Sequence, residues 1–173
     1  PNNPDNWTTG QLYGWFGEER IAQEMVLGIG GVRALRKLGI DVDIYHFNEG
    51  HALFAGFELM REKMEQDGTS FEEAWEDCRK EIVFTTHTPV IQGNESHPIE
   101  RLMYMGANQG MTASQLQQLG GSPFNMTVGA SACQKNPTEW HNSTEKQPTR
   151  CGHTSKTARK LCPLPMPYIY QPG

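Results

Sequence analysis

Apolar residues recur at three- and four-residue steps from Glu18 to Leu38: Ile21, Met25, Val26, Ile29, Val32, Leu35 and Leu38. That period predicts an amphipathic helix that stops at Gly39. Within it, Leu27-Gly28-Ile29-Gly30-Gly31 invites reading as a phosphate-binding loop. Such a loop needs a strand before it and a helix start after it. Here the period runs straight through, so the glycines read instead as a helix face that another backbone or a bound ligand can approach closely. Val42 to Phe47 then changes to a short, β-branched and aromatic run, a buried strand. Asn48-Glu49-Gly50 is a turn, and His51 opens an apolar helix with Ala52, Leu53, Ala55, Phe57, Leu59 and Met60. After the loop Asp67 to Ser70, Ser70 and Glu73 form a capping box for a helix whose apolar face is Phe71, Ala74, Trp75 and Cys78. Ile82 to Thr86 is a second strand. Two helices between two strands predict a crossover unit with parallel pairing, an α/β arrangement. Beyond Pro89 the pattern predicts helices over Pro98 to Met105 and Met111 to Leu119. A turn follows at Gly120 to Pro123, and folded sequence resumes at Phe124 to Val128.

Both strands end in polar groups. The first runs into His46, Glu49 and His51, the second into His87, Thr88 and Pro89. In open α/β sheets the ligand crevice lies outside the carboxyl ends of the strands. Glu49, His51 and His87 are therefore candidates for one shared pocket. A carboxylate and two imidazoles can bond several hydroxyls of a polar organic substrate. A lone His51 would read as a helix-start cap. The spacing of His46, Glu49 and His51 fits no common zinc signature, so no metal is expected there. Cys151, His153 and Cys162 lack a CxxC pair, and chance accounts for them.

Composition divides the chain. Residues 1–130 carry 9 Lys+Arg and 18 Asp+Glu, a net of −9, whereas residues 131–173 carry 6 basic and 2 acidic residues, a net of +4. The second stretch holds six of the eleven prolines, and no Leu, Ile, Val or Phe occurs between Ser131 and Lys160. A break this sharp separates a globular part from something else. No basic groove with interleaved aromatics is present, which argues against nucleic acid. The polar start, Pro1 to Thr9, has no signal-peptide core, and no apolar run approaches a membrane span. With Cys78 alone in the globular part, a reducing cytoplasm is expected. The Asn-x-Ser/Thr matches at Asn6, Asn94, Asn125 and Asn142 then read as chance.

The motifs resemble those of the α-glucan (glycogen, starch and maltodextrin) phosphorylases, especially the shorter bacterial and archaeal type. The matching text is Gln11-Leu12-Tyr13-Gly14, Glu19 to Glu24, Leu27 to Leu35, His46-Phe47-Asn48-Glu49-Gly50-His51-Ala52, Phe84 to Val90 and Phe124 to Val128. The resemblance covers residues 10–128. It implies part of the N-terminal, Rossmann-like domain of a GT-B glycosyltransferase. It implies phosphorolysis of α-1,4-glucans to glucose 1-phosphate with retention, using inorganic phosphate. Pyridoxal phosphate is the implied cofactor, its attachment lysine lying in a later domain outside this chain. By resemblance His87 contacts the reacting glucosyl unit as the catalytic-site histidine, and Glu49 and His51 line the same sugar site. The full-length enzyme is expected to be a homo-oligomer, and the fragment alone inactive. A non-catalytic carbohydrate-binding or remnant domain is one alternative. Another GT-B glucosyltransferase such as a glycogen synthase is the second.

The resemblance stops at Gly129, where composition also changes. Residues 1–129 are thus expected to be the domain fragment and residues 130–173 a frameshifted, non-native and disordered tail. Degenerate codons for Gln134 to Asn142, read in a shifted frame, permit KKSNGVAQ. Continuing permits LHG…MW and ITN…PTW strings like the family's next segment.

Overall fold

The computed structural model describes residues 8, 10, 17–87 and 95–135. Helix α1 (Glu18–Met25), a π-helical segment (Val26–Gly30) and α2 (Gly31–Lys37) follow one another without a break in helical backbone. Gly39, at φ +65°, ends the run as its period predicts. The wide π turn shifts the phase of the buried face. Gly28 and Ile29 turn inward, while Val26 and Leu27 are more than half exposed. The glycine reading holds at one of three positions. A Cβ on Gly28 would stand 2.5 Å from the Ala55 amide nitrogen and 2.8 Å from the Phe54 carbonyl carbon. Gly31 faces open space.

The element that Gly28 admits is α3 (Leu53–Gln66), the centre of the fold. Every residue from Leu53 to Met60 is buried. A helix buried all round needs partners on several sides. The π segment, α4 (Phe71–Arg79) and α7 (Met126–Ala132) supply them. Its one buried charge, Glu58, is fully covered. Both Glu58 oxygens accept from Arg33 (2.8 and 3.0 Å) and from Arg61 (3.0 and 2.6 Å). Burial alone would raise its carboxyl, but the two guanidinium groups hold it below the usual range. Sequence pattern missed this pair of bridges, because three of the residues sit among ordinary surface charges in the chain.

Strands β1 (Tyr45–Asn48) and β2 (Ile82–Thr85) pair in parallel, with Tyr45 opposite Ile82 and Asn48 opposite Thr85. The crossover through α3 and α4 stands as expected. Strand β1 is displaced from the predicted 42–47, since Asp43 and Ile44 are exposed and have no partner strand. The capping box at Ser70 and Glu73 forms, and Thr112 with Gln115 makes a second for α6 (Ala113–Gly120). Between them lies α5 (Ile99–Tyr104), preceded by Pro98. An antiparallel pair of two-residue strands, β3 (Ser96–His97) and β4 (Phe124–Asn125), has no counterpart in the pattern, being too short to show a period. Asn125 caps α7, its Oδ1 accepting from the Val128 amide at 2.9 Å.

The described fold runs past residue 130. Ala130 and Cys133 are buried, Trp75 Nε1 donates to the Ala132 carbonyl at 2.8 Å, and Arg79 donates to the Gln134 carbonyl at 3.0 Å. Cys78 is therefore accompanied by a second buried free thiol in the globular part. Burial pushes the Cys133 thiol up to about 12 and moves Cys78 in the same direction, so neither is poised as a nucleophile. Residues 136–173, with Cys151, His153 and Cys162, lie outside the described residues. Among the described residues no helix is long and apolar enough to cross a membrane.

Candidate functional site

Glu49 leaves β1 at φ 64° and ψ 176°, a conformation that is essentially glycine-only and costs a non-glycine residue about 1–3 kcal/mol. Its contacts explain why the turn is held. The Glu49 amide donates to the Thr85 carbonyl at 2.8 Å, extending the parallel ladder by one bond. One carboxylate oxygen accepts from the Thr86 hydroxyl at 3.0 Å, the other from the His87 backbone amide. Glu49 thus ties the carboxyl end of β1 to the carboxyl end of β2. Glu49 and His87 meet at the strand ends, as their positions in the chain imply. His46 stands nearby on β1, with Nε2 2.8 Å from Thr85 Oγ1. Thr88 and Pro89 lie outside the described residues.

His51 makes a different set of contacts. It sits in the 3-10 turn Gly50–Ala52, which brings backbone against α7: a Cβ on Gly50 would meet the Met126 carbonyl carbon at 3.0 Å. The His51 ring turns its Nδ1 toward α1. That nitrogen is 2.7 Å from Arg20 Nη2 and 3.1 Å from Glu24 Oε1. Arg20 Nε also donates to Glu95 Oε2 at 3.1 Å, and Glu95 Oε1 lies 3.3 Å from His97 Nε2. Around the His51 ring there is therefore a five-residue cluster, Arg20, Glu24, His51, Glu95 and His97. Only His51 was singled out from sequence. Arg20 and Glu24 lie in a quoted motif, and their i,i+4 spacing was the available signal.

The two carboxyls of this cluster titrate apart. Burial raises Glu24 to about 7, with the nearby Glu95 charge adding to the effect and the His51 hydrogen bond opposing it. Burial would raise Glu95 too, but hydrogen bonds from His97 and Arg20 pull it down to about 2. The carboxylate bonded directly to the guanidinium keeps the charge and its neighbour keeps the proton, as close carboxyl pairs do. Glu24, Glu95 and His97 offer three ligand atoms within 4.8 Å of one another. The guanidinium of Arg20 already supplies positive charge there, 3.4 Å from Glu24 Oε1. With Glu24 protonated, that charge balances the cluster without an ion. A separate polar hollow of about 130 Å³ lies by Arg36, Glu62, Lys63 and Glu81, at the opposite end of β2.

No protein-family model matches the chain. Six curated relatives are similar to it, three of which represent the phosphorylases among them. The maltodextrin phosphorylase of Thermococcus litoralis is 42% identical over 132 residues, covering 73% of this chain and 16% of the relative. The glycogen phosphorylase of Mycobacterium tuberculosis is 40% identical over 130 residues, 72% of this chain and 15% of the relative. That of Aquifex aeolicus is 33% identical over 119 residues, 63% of this chain and 17% of the relative. The chain thus spans about a sixth of the length of these relatives. With its parallel strand pair flanked by helices, it is a phosphorylase-like segment, similar over about 70% of its length to the maltodextrin and glycogen phosphorylases.

Proposed function

We propose that this chain is a piece of the N-terminal domain of a cytoplasmic GT-B glucan phosphorylase and that its strand ends carry part of the sugar site. The observation that supports this most is the joining of Glu49 and His87 at the carboxyl ends of two parallel strands. Transfer from a sugar passes through an oxocarbenium-like state that demands fixed positioning and nearby polar groups. In this reading His87 positions the glucosyl unit through its ring. Glu49 fixes the backbone that carries that ring, and the exposed edge of His51 meets a second hydroxyl. The substrates are an α-1,4-glucan and inorganic phosphate, and the anomeric configuration is retained. Pyridoxal phosphate, when bound in the whole enzyme, supplies a phosphate group that exchanges a proton with the substrate phosphate. Glu49 meets the Thr86 hydroxyl and the His87 backbone amide, and the resemblance puts the residue that holds the cofactor in a different domain of the whole enzyme.

The purified chain should form no glucose 1-phosphate from maltodextrin and phosphate above a boiled control. It should bind malto-oligosaccharide weakly, because half the enclosing surface belongs to another domain. His87→Ala should lower that binding about tenfold, the loss of one or two good hydrogen bonds. Its melting temperature should stay close to wild type, since His87 is exposed. A collapsed melting temperature with unchanged binding would make His87 structural.

The second part of the proposal concerns the tail. The compositional break and the permitted shifted-frame strings support reading 130–173 as out of frame, with the helix through Ala132 built on a short run of small residues. Sequencing the source DNA across these codons tests it. A missing or added base near codon 129 is expected, and an unbroken frame leading into unrelated text would contradict it.

A further inference from the structure

The Nδ1 atom of His51 has two neighbours that ask opposite things of it. Arg20 Nη2, at 2.7 Å, can only donate and needs a lone pair on Nδ1. Glu24 Oε1, at 3.1 Å, accepts when ionised and needs a hydrogen on the same nitrogen. One ring nitrogen cannot satisfy both at once. The other members of the cluster keep the choice open. Glu24 Oε2 and His97 Nε2 are both buried, 1% and 3% exposed as residues, and lie 4.0 Å apart, while His97 Nε2 stands closer to Glu95 Oε1, at 3.3 Å. A proton on Glu24 leaves its buried carboxyl neutral beside the Arg20 guanidinium and the Glu95 charge. Without that proton the charge on Glu24 faces Arg20 from α1, His51 from the 3-10 turn, and Glu95 and His97 at β3.

We propose that Glu24 is a positioning residue for His51: whether Glu24 holds a proton decides whether the exposed edge of the His51 ring presents an N–H or a lone pair. With Glu24 protonated, Arg20 donates to Nδ1 and the hydrogen sits on Nε2, which donates outward. With Glu24 ionised, the hydrogen moves to Nδ1 and bonds the carboxylate, and Nε2 accepts. One proton leaves the cluster for solvent, and one tautomeric shift follows within the neutral ring. The His51 side chain is 41% exposed, so part of the ring reaches solvent. The tautomer change stands on this cluster alone. Its consequence, a pH-dependent choice between hydroxyl acceptor and hydroxyl donor, rests on the sugar site proposed above.

Nitrogen-15 spectra of the histidine rings in the whole chain, taken from pH 5.5 to 8.5, test it. The His51 pattern should invert from Nε2–H to Nδ1–H as Glu24 gives up its proton with rising pH. Glu24→Gln should abolish the inversion and leave one pattern at every pH. A single neutral tautomer throughout the wild-type titration, or a doubly protonated ring up to pH 8, would overturn the proposal even if Glu24→Gln does not fold. Adding maltoheptaose to the same samples separates the two claims. An inversion without any sugar-induced shift keeps the switch and contradicts the sugar site.

Discussion

Gly28→Ala is expected to destabilise the chain by about 3 kcal/mol, the scale of forcing an extra carbon into a packed contact. The cause is backbone against backbone. An ideal Cβ would sit 2.5 Å from the Ala55 nitrogen and 2.8 Å from the Phe54 carbonyl carbon, and neither atom can swing aside. Both belong to the buried first half of α3, so relief requires moving the central helix. Gly30→Ala and Gly31→Ala are the controls. Neither would meet backbone closer than 3.9 Å, and each should gain up to about 1 kcal/mol from helix propensity. Urea midpoints of the three variants decide it. A Gly28→Ala chain as stable as its neighbours would mean that the π segment and α3 do not touch in this way.

A second large effect concerns pH. Glu24 has its native carboxyl raised from 4.5 to about 7, so between those values the folded state holds a proton that the unfolded chain has released. Stability therefore falls as pH rises through this window. The full shift corresponds to about 3 kcal/mol. Glu95 works in the other direction. With its carboxyl lowered from 4.5 to about 2, stability falls as pH drops below 4.5. The cluster thus favours the fold most near pH 4.5 to 5. Glu24→Gln removes the proton linkage on the alkaline side. The variant should melt at nearly the same temperature at pH 5.5 and 8, and at pH 8 it should exceed wild type by about 1–2 kcal/mol, part of the gain being offset by weaker hydrogen bonding. A wild-type chain whose stability rises from pH 5 to 8 would contradict the burial of Glu24 as a neutral acid.

Much of this arrangement can be read from local pattern, for identifiable reasons. The helix over 18–38 shows because Ile21, Ile29 and Val32 repeat on one buried face. The parallel pair shows because two β-branched runs are separated by sequence long enough for a crossover. The Ser70 cap shows because its partner Glu73 is three residues on. Hidden features share another property: they depend on residues distant in the chain. Glu58 finds Arg33 across 25 positions, and Arg20 finds Glu95 across 75. Pattern also cannot say which glycine carries the close approach, since Gly28, Gly30 and Gly31 look alike until α3 is in place. The π turn that selects Gly28 leaves no mark in composition. At the candidate site, Glu49 and His87 were legible as strand-end residues. The strained turn of Glu49 and the inward bonds of His51 were not.

The central claim is that the carboxyl ends of β1 and β2 form part of a glucan site. Histidine ring spectra of the labelled chain during titration with maltoheptaose into the millimolar range address it most directly. His51 and His87 should shift together along one saturating curve, while the buried His97 ring moves little. A shift at His97 without His51 and His87, or none at any ring, would contradict it.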